Sequence, residues 1–223
     1  TVWVMPGRAQ FQEALEMLRV DVDALGLMAA QAVTGAMAAL LGDDRSVAHQ
    51  VVAGDDRIDA LFVVLEERAY ALVAQQAPVA ADLRFLMSSL RVMADFEKTG
   101  DRAVAVAKSS LAEWDREPTT LGLLGRMGDL ALTLLSSARA AWLEQDLLVA
   151  SDLKRRDDVL DETFRRLVAH LLTRQGAGAP SLVLHAHAAG RNLERIADHA
   201  VIIGERVSYM LTGDPSALAA EIR

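Results

Sequence analysis

The chain has 223 residues, is 52% hydrophobic and only 4% aromatic, contains no cysteine and carries a formal charge of −8. The missing thiols exclude a disulfide scaffold, a thiolate metal site and a cysteine nucleophile. The acidic balance argues against nucleic-acid binding, which depends on neutralising phosphates.

Nearly all of the sequence reads as helix, because alanine and leucine dominate, proline is rare and no alternating strand pattern persists. Helix one is expected over 9–41 and ends at Gly42-Asp43-Asp44. Its stretch Ala24 to Gly42 carries no charge, but Gln31 and Thr34 interrupt it and Asp21, Asp23, Asp43 and Asp44 flank it. Acidic flanks do not anchor a membrane span, so the expectation is a helix largely buried in a bundle, with no membrane insertion. Helix two, 45–76, stops at Ala77-Pro78, and helix three, 79–114, runs to the linker-like Glu117-Pro118-Thr119-Thr120. Helices four (121–145) and five (147–174) meet at a weak break, Gln145-Asp146. Gly176-Ala177-Gly178-Ala179-Pro180 then turns the chain into helix six, 181–212, closed by Gly213-Asp214-Pro215.

The two halves repeat. Asp55-Asp56-Arg57-Ile58-Asp59-Ala60-Leu61-Phe62 matches Asp157-Asp158-Val159-Leu160-Asp161-Glu162-Thr163-Phe164 at an offset of 102. Glu97-Lys98-Thr99-Gly100-Asp101-Arg102-Ala103-Val104 matches Glu194-Arg195-Ile196-Ala197-Asp198-His199-Ala200-Val201 at an offset of 97. The expected fold is therefore all-α, two tandem three-helix bundles over residues 1–117 and 118–223.

Both repeated elements carry an acid followed four residues later by Asp: Asp55/Asp59, Glu97/Asp101, Asp157/Asp161 and Glu194/Asp198. With 31 acids in the chain, roughly four such spacings arise by chance on helices, so position matters more than number. Residues four apart share a helix face, and these pairs interrupt apolar stripes such as Leu83, Leu86, Leu90, Met93, Glu97, Asp101 and Val104. In each hairpin the two pairs lie equally far from the turn, so four carboxylates are expected to face one another across two antiparallel helices. Such a quartet in a partly buried place needs protons, Arg or Lys partners, or a multivalent cation. All-oxygen ligation suits magnesium, calcium, manganese or ferric iron and tolerates zinc. An acid cluster facing water or basic side chains is the alternative.

Around Phe96-Glu97-Lys98-Thr99-Gly100-Asp101 and Leu193-Glu194-Arg195-Ile196-Ala197-Asp198-His199-Ala200 the chain resembles the PhoU family, which shows L-E-R-I-G-D-x-A there. The likeness extends to Ala77-Pro78 and Asp82-Leu83-Arg84 and spans about residues 9–213. It implies multinuclear metal clusters held by Asp55, Asp59, Glu97 and Asp101 in repeat one and by Asp157, Asp161, Glu194 and Asp198 in repeat two. It also implies a cytoplasmic, commonly dimeric regulator rather than an enzyme. Such a protein links a phosphate ABC importer, through its ATPase subunit, to a sensor histidine kinase and represses the phosphate-starvation response when phosphate is plentiful. Phe96, Thr99 and Ala197 depart from the family's Leu, Ile and Gly, and Thr1–Arg8 departs from its usual start.

Other features have plainer readings. No His follows an acid by three residues, which disfavours the Glu-x-x-His of ferritin-like di-iron enzymes. A metal-free helical scaffold is the other alternative role. Asp82 suits a helix start through the dipole or a cap, His199 a surface or second-shell position, and Met87 and Met93 core filling.

Overall fold

A computed structural model describes residues 7–218. The departure at Thr1–Arg8 therefore lies mostly outside the described residues, as do the last residues of the expected second repeat. The chain forms α1 (Arg8–Gly42), α2 (Arg45–Gln76), α3 (Ala80–Leu111), α4 (Pro118–Glu144), α5 (Leu147–Leu172) and α6 (Ala179–Thr212), followed by a 3₁₀ turn at Pro215–Leu218. No strand occurs among the described residues.

The first turn is repeated in the second half. Asp43 and Gln145 both adopt left-handed conformations, at φ 54°, and donate their N–H groups to Ala39 and Ala141. Asp44 and Asp146 then cap α2 and α5, each accepting hydrogen bonds from two backbone N–H groups. These pairs sit 102 residues apart, like the acidic motifs. What reads as a weak break in sequence is thus a well-made turn.

Helix four begins three residues earlier than expected. Pro118 occupies the first helical turn, where its missing N–H costs nothing. The Glu117 carboxylate caps that turn, accepting from the Thr119 and Thr120 N–H groups and the Thr120 hydroxyl. At the start of α3, by contrast, Val79 provides no side-chain cap. Asp82 sits in the first turn and is held by Arg8 at 3.1 Å and Gln12 at 3.3 Å, so its dipole role stands and its capping role does not.

Helix α1 packs against α2, α3 and α4, α6 against α3, α4 and α5, and α3 and α6 meet at the centre. The buried apolar side chains of all six helices join in one cluster. By length and composition α1 could cross a membrane, yet its Leu18, Val22, Leu25, Val33, Ala36 and Leu40 lie in this core. Between the halves, the fully buried Trp142 stacks on Phe85 at 5.7 Å and donates to the Arg19 carbonyl. Arg139 forks onto both oxygens of Asp23, and Arg116 ties the ends of α1 and α3 together by donating to the Leu40 and Ser110 carbonyls.

The Phe96 departure has a structural counterpart. Its ring lies against Gly26 of α1, where an added Cβ would come within 2.7 Å of the ring. Phenylalanine here depends on a glycine opposite. Met93 is buried as expected, but Met87 is 51% exposed and does not fill the core.

Two predictions follow from these contacts. Gly26→Ala should destabilise the fold by about 1–3 kcal/mol through overpacking, and adding Phe96→Leu should recover part of the loss in thermal melts. Burial works against the Glu117 charge, but hydrogen bonds from Thr120, Thr119 and His170 outweigh it and hold the carboxyl well below its ordinary range. A depressed acid contributes stability that is complete above its unfolded value and fades as the solution becomes more acidic. Glu117→Ala should therefore cost about 1–2 kcal/mol at neutral pH, and the difference from wild type, read by denaturant unfolding, should shrink below about pH 4.

Candidate functional site

The eight carboxylates gather as two groups of four. In repeat one, Asp55 feels the charges of Asp59 and Asp101 across the α2–α3 hairpin, and Glu97 feels Asp101, Asp59 and Asp55. In repeat two, Asp157 feels Asp161 and Asp198, and Glu194 feels Asp198 and Asp161. In each hairpin, carboxylates from the two helices thus lie near enough to feel one another's charge.

Close approach of the helices makes the first quartet possible. Gly100 faces Ile58 and Asp55, and an added Cβ would lie 3.0 Å from Ile58 and 3.5 Å from the Asp55 carboxylate. The quartets sit at the edges of the apolar stripes rather than within the core. Leu86 and Met93 are buried, whereas Leu83 and Asp101 are exposed and Glu97 is half-buried. Asp59 is also exposed, while in repeat two Asp157 is 1% exposed and Asp161, Glu194 and Asp198 are half-buried.

Burial and repulsion shape the acidity of Asp55, Glu97, Asp157 and Glu194. Desolvation first, then the neighbouring carboxylates, push Asp55 and Glu97 above the ordinary acid range. Desolvation also raises Asp157 and Glu194, against the opposing effect of Lys154 on the former and of Arg191 and Arg195 on the latter.

Among the described residues, no three carboxylate or imidazole groups converge into a ready-made ligating constellation. The donor chemistry nonetheless fits a hard cation. Asp157 Oδ1 and Glu194 Oε2 are buried with no hydrogen-bond partner, and a buried carboxylate oxygen without a donor lacks compensation for its lost water.

Sequence reasoning missed a polar contact at the seam between the halves. His199 is buried at 9% exposure, not on the surface, and its Nδ1 lies 3.0 Å from Asp95 Oδ1 of α3. Neighbouring Asp198 belongs to the second quartet, so His199 lies one residue from a candidate ligand while pointing into the α3–α6 seam. The repeat carried a signal for this: at the offset of 97, Asp95 corresponds to Asn192 and His199 to Arg102. Polar residues thus recur at corresponding points of both central helices.

The PhoU domain family model matches residues 22–110 and 124–207. The chain is 33% identical over 209 residues to the phosphate-specific transport system accessory protein PhoU homolog 1 of Mycobacterium tuberculosis, covering 92% of this chain and 95% of that protein. It is 32% identical over 209 residues to the PhoU homolog of Caulobacter vibrioides, covering 92% and 90%. The crystal structure of PhoU from Pseudomonas aeruginosa superposes with a TM-score of 0.85 at 29% identity, covering 92% of this chain and 100% of that one. The phosphate transport system regulatory protein PhoU from Streptococcus pneumoniae gives a TM-score of 0.85 at 25% identity, covering 92% and 98%.

The electrostatics of the two quartets lead to opposite expectations for chelator-treated protein. Glu97→Gln should stabilise it by about 0.2–0.5 kcal/mol by relieving repulsion. Lys154→Met should destabilise it by about 1–3 kcal/mol by leaving the buried Asp157 without its cation. Urea unfolding of both variants measures the two signs.

Proposed function

The chain belongs to the PhoU family, and we propose that this phosphate-transport accessory protein works as a non-catalytic adaptor in phosphate signalling. It acts in the cytoplasm as a homodimer, touching the ATPase subunit of a phosphate ABC importer and a sensor histidine kinase. By holding the kinase in its phosphatase-favouring state when phosphate is plentiful, it represses the starvation response. Residues 1–117 and 118–223 serve as the two repeat units.

In this reading Asp55, Asp59, Glu97 and Asp101 hold multivalent cations in repeat one, and Asp157, Asp161, Glu194 and Asp198 hold them in repeat two. Iron, zinc, manganese or magnesium meets the all-oxygen donor set. Such an ion would supply positive charge that relieves repulsion and fixes the hairpin; no bond-making step is assigned to it. The chain's own contribution is a rigid scaffold. Asp44 and Asp146 set the turns, Trp142 and Arg139 lock α4 onto α1, and the α3–α6 seam joins the two quartet-bearing hairpins.

The observation that supports this most is family likeness running through both repeats, together with a quartet in each hairpin. Deleting the gene should raise phosphate-importer expression in phosphate-rich medium, and the wild-type gene should reverse the increase. Pull-down from phosphate-replete cells should recover the importer ATPase and the kinase, and elemental analysis should find bound metal. Unchanged importer expression after deletion would overturn the regulatory role, and a metal-free protein would overturn the ligand assignment.

A further inference from the structure

The two quartets differ in the cations that the chain itself places beside them. In repeat two, Lys154 Nζ lies 3.0 Å from Asp157 Oδ2, Arg191 is hydrogen-bonded to Glu194, and Arg195 lies 3.4 Å from Asp198. At the repeat offsets the corresponding residues of the first half are Val52, Ala94 and Lys98. Two of the three positive charges are absent there, and Lys98, 3.7 Å from Asp95, offsets the charge of Glu97 without an ion pair to it. Asp55 feels Asp59, Asp101 and Asp56 more strongly than it feels Lys108.

Burial accounts for part of this difference. Asp157 is almost wholly enclosed, whereas Asp59 and Asp101 reach water. A buried carboxylate needs a nearby opposite charge, while an exposed one is partly compensated by solvent. Yet Lys154 and Arg191 leave Asp157 Oδ1 and Glu194 Oε2 without donors. These side chains neutralise charge without completing the coordination of the oxygens. The Lys154 side chain is 56% exposed and the Arg191 side chain 42% exposed, so both heads can swing into water.

We propose that repeat two is a self-compensated cation site, in which Lys154 and Arg191 stand in for a divalent ion and must be displaced before one binds. Repeat one, lacking both, loads first and holds its ion more tightly. Loading of repeat two then releases a lysine and an arginine head to the surface, so the second step changes the charges displayed there. This inference rests on the reading of the quartets as cation sites.

Titration of the chelator-treated full chain with Mn²⁺, followed by equilibrium dialysis and elemental analysis, tests it. Wild type should show two classes of site separated by at least about tenfold in affinity, the scale on which one adjacent opposite charge shifts a carboxylate equilibrium. Glu97→Gln with Asp101→Asn should remove the tight class, and Glu194→Gln with Asp198→Asn the weak one. Lys154→Met with Arg191→Met should tighten the weak class about tenfold and leave the tight class unchanged. Lys154→Gln alone, checked by circular dichroism, should give the same direction with less risk to folding, while the charge-retaining Arg191→Lys should leave the weak class weak. A single class of equal sites, or a weak class unmoved by Lys154→Gln, would overturn the proposal and leave both quartets as cation sites. Failure of wild type to take up Mn²⁺ would overturn the underlying reading as well.

Discussion

Like charges facing one another across two antiparallel helices are the constraint that the packing of each hairpin must overcome. Repulsion drives the helices apart there, so attraction elsewhere must hold them together. The apolar faces supply it on the core side, where Ile58, Leu86, Met93 and Phe96 of the first hairpin are buried. Gly100 allows close approach at the quartet itself. The second hairpin has Ala197 at the corresponding position and a more deeply enclosed acid, Asp157, with lysine and arginine side chains nearby.

The halves are joined asymmetrically in chemistry although symmetrically in plan. The capped turns at Asp43-Asp44 and Gln145-Asp146 repeat almost residue for residue. The central seam does not. Asp95 and His199 form a close contact there, while the corresponding Asn192 donates to the Ala188 carbonyl of its own helix. A duplicated backbone thus carries side chains that have diverged where the two copies meet and around the charged sites.

Much of this was legible in the residues. Six helices and the internal repeat follow from helical spacing and turn residues. Gln145-Asp146 looked weak because neither residue is Gly or Pro, yet Gln145 adopts the left-handed conformation and Asp146 caps. The start of α4 is harder to place because a glutamate is not an obvious cap; its backbone donors Thr119 and Thr120 are local, and only His170 is brought in by the fold. The burial of His199 is not legible in its own helix, because the α3 helix that covers it is remote in sequence. Met87 is apolar yet 51% exposed, and its residue type alone does not tell it from the buried Met93.

From Asp55 to Glu97 the chain spans 42 residues, but from Asp157 to Glu194 only 37. The loss lies in the tips of the helical arms, more in α5 than in α6, and is partly offset by a longer turn between them. Shortening there trims both arms of a ladder without shifting its lower rungs past each other. One residue gained or lost within a single arm would instead rotate the following side chains by about 100° and shift them by about 1.5 Å. The tips are therefore where the two copies within this chain differ in length, and the stretches beside the acidic pairs are where they keep their spacing.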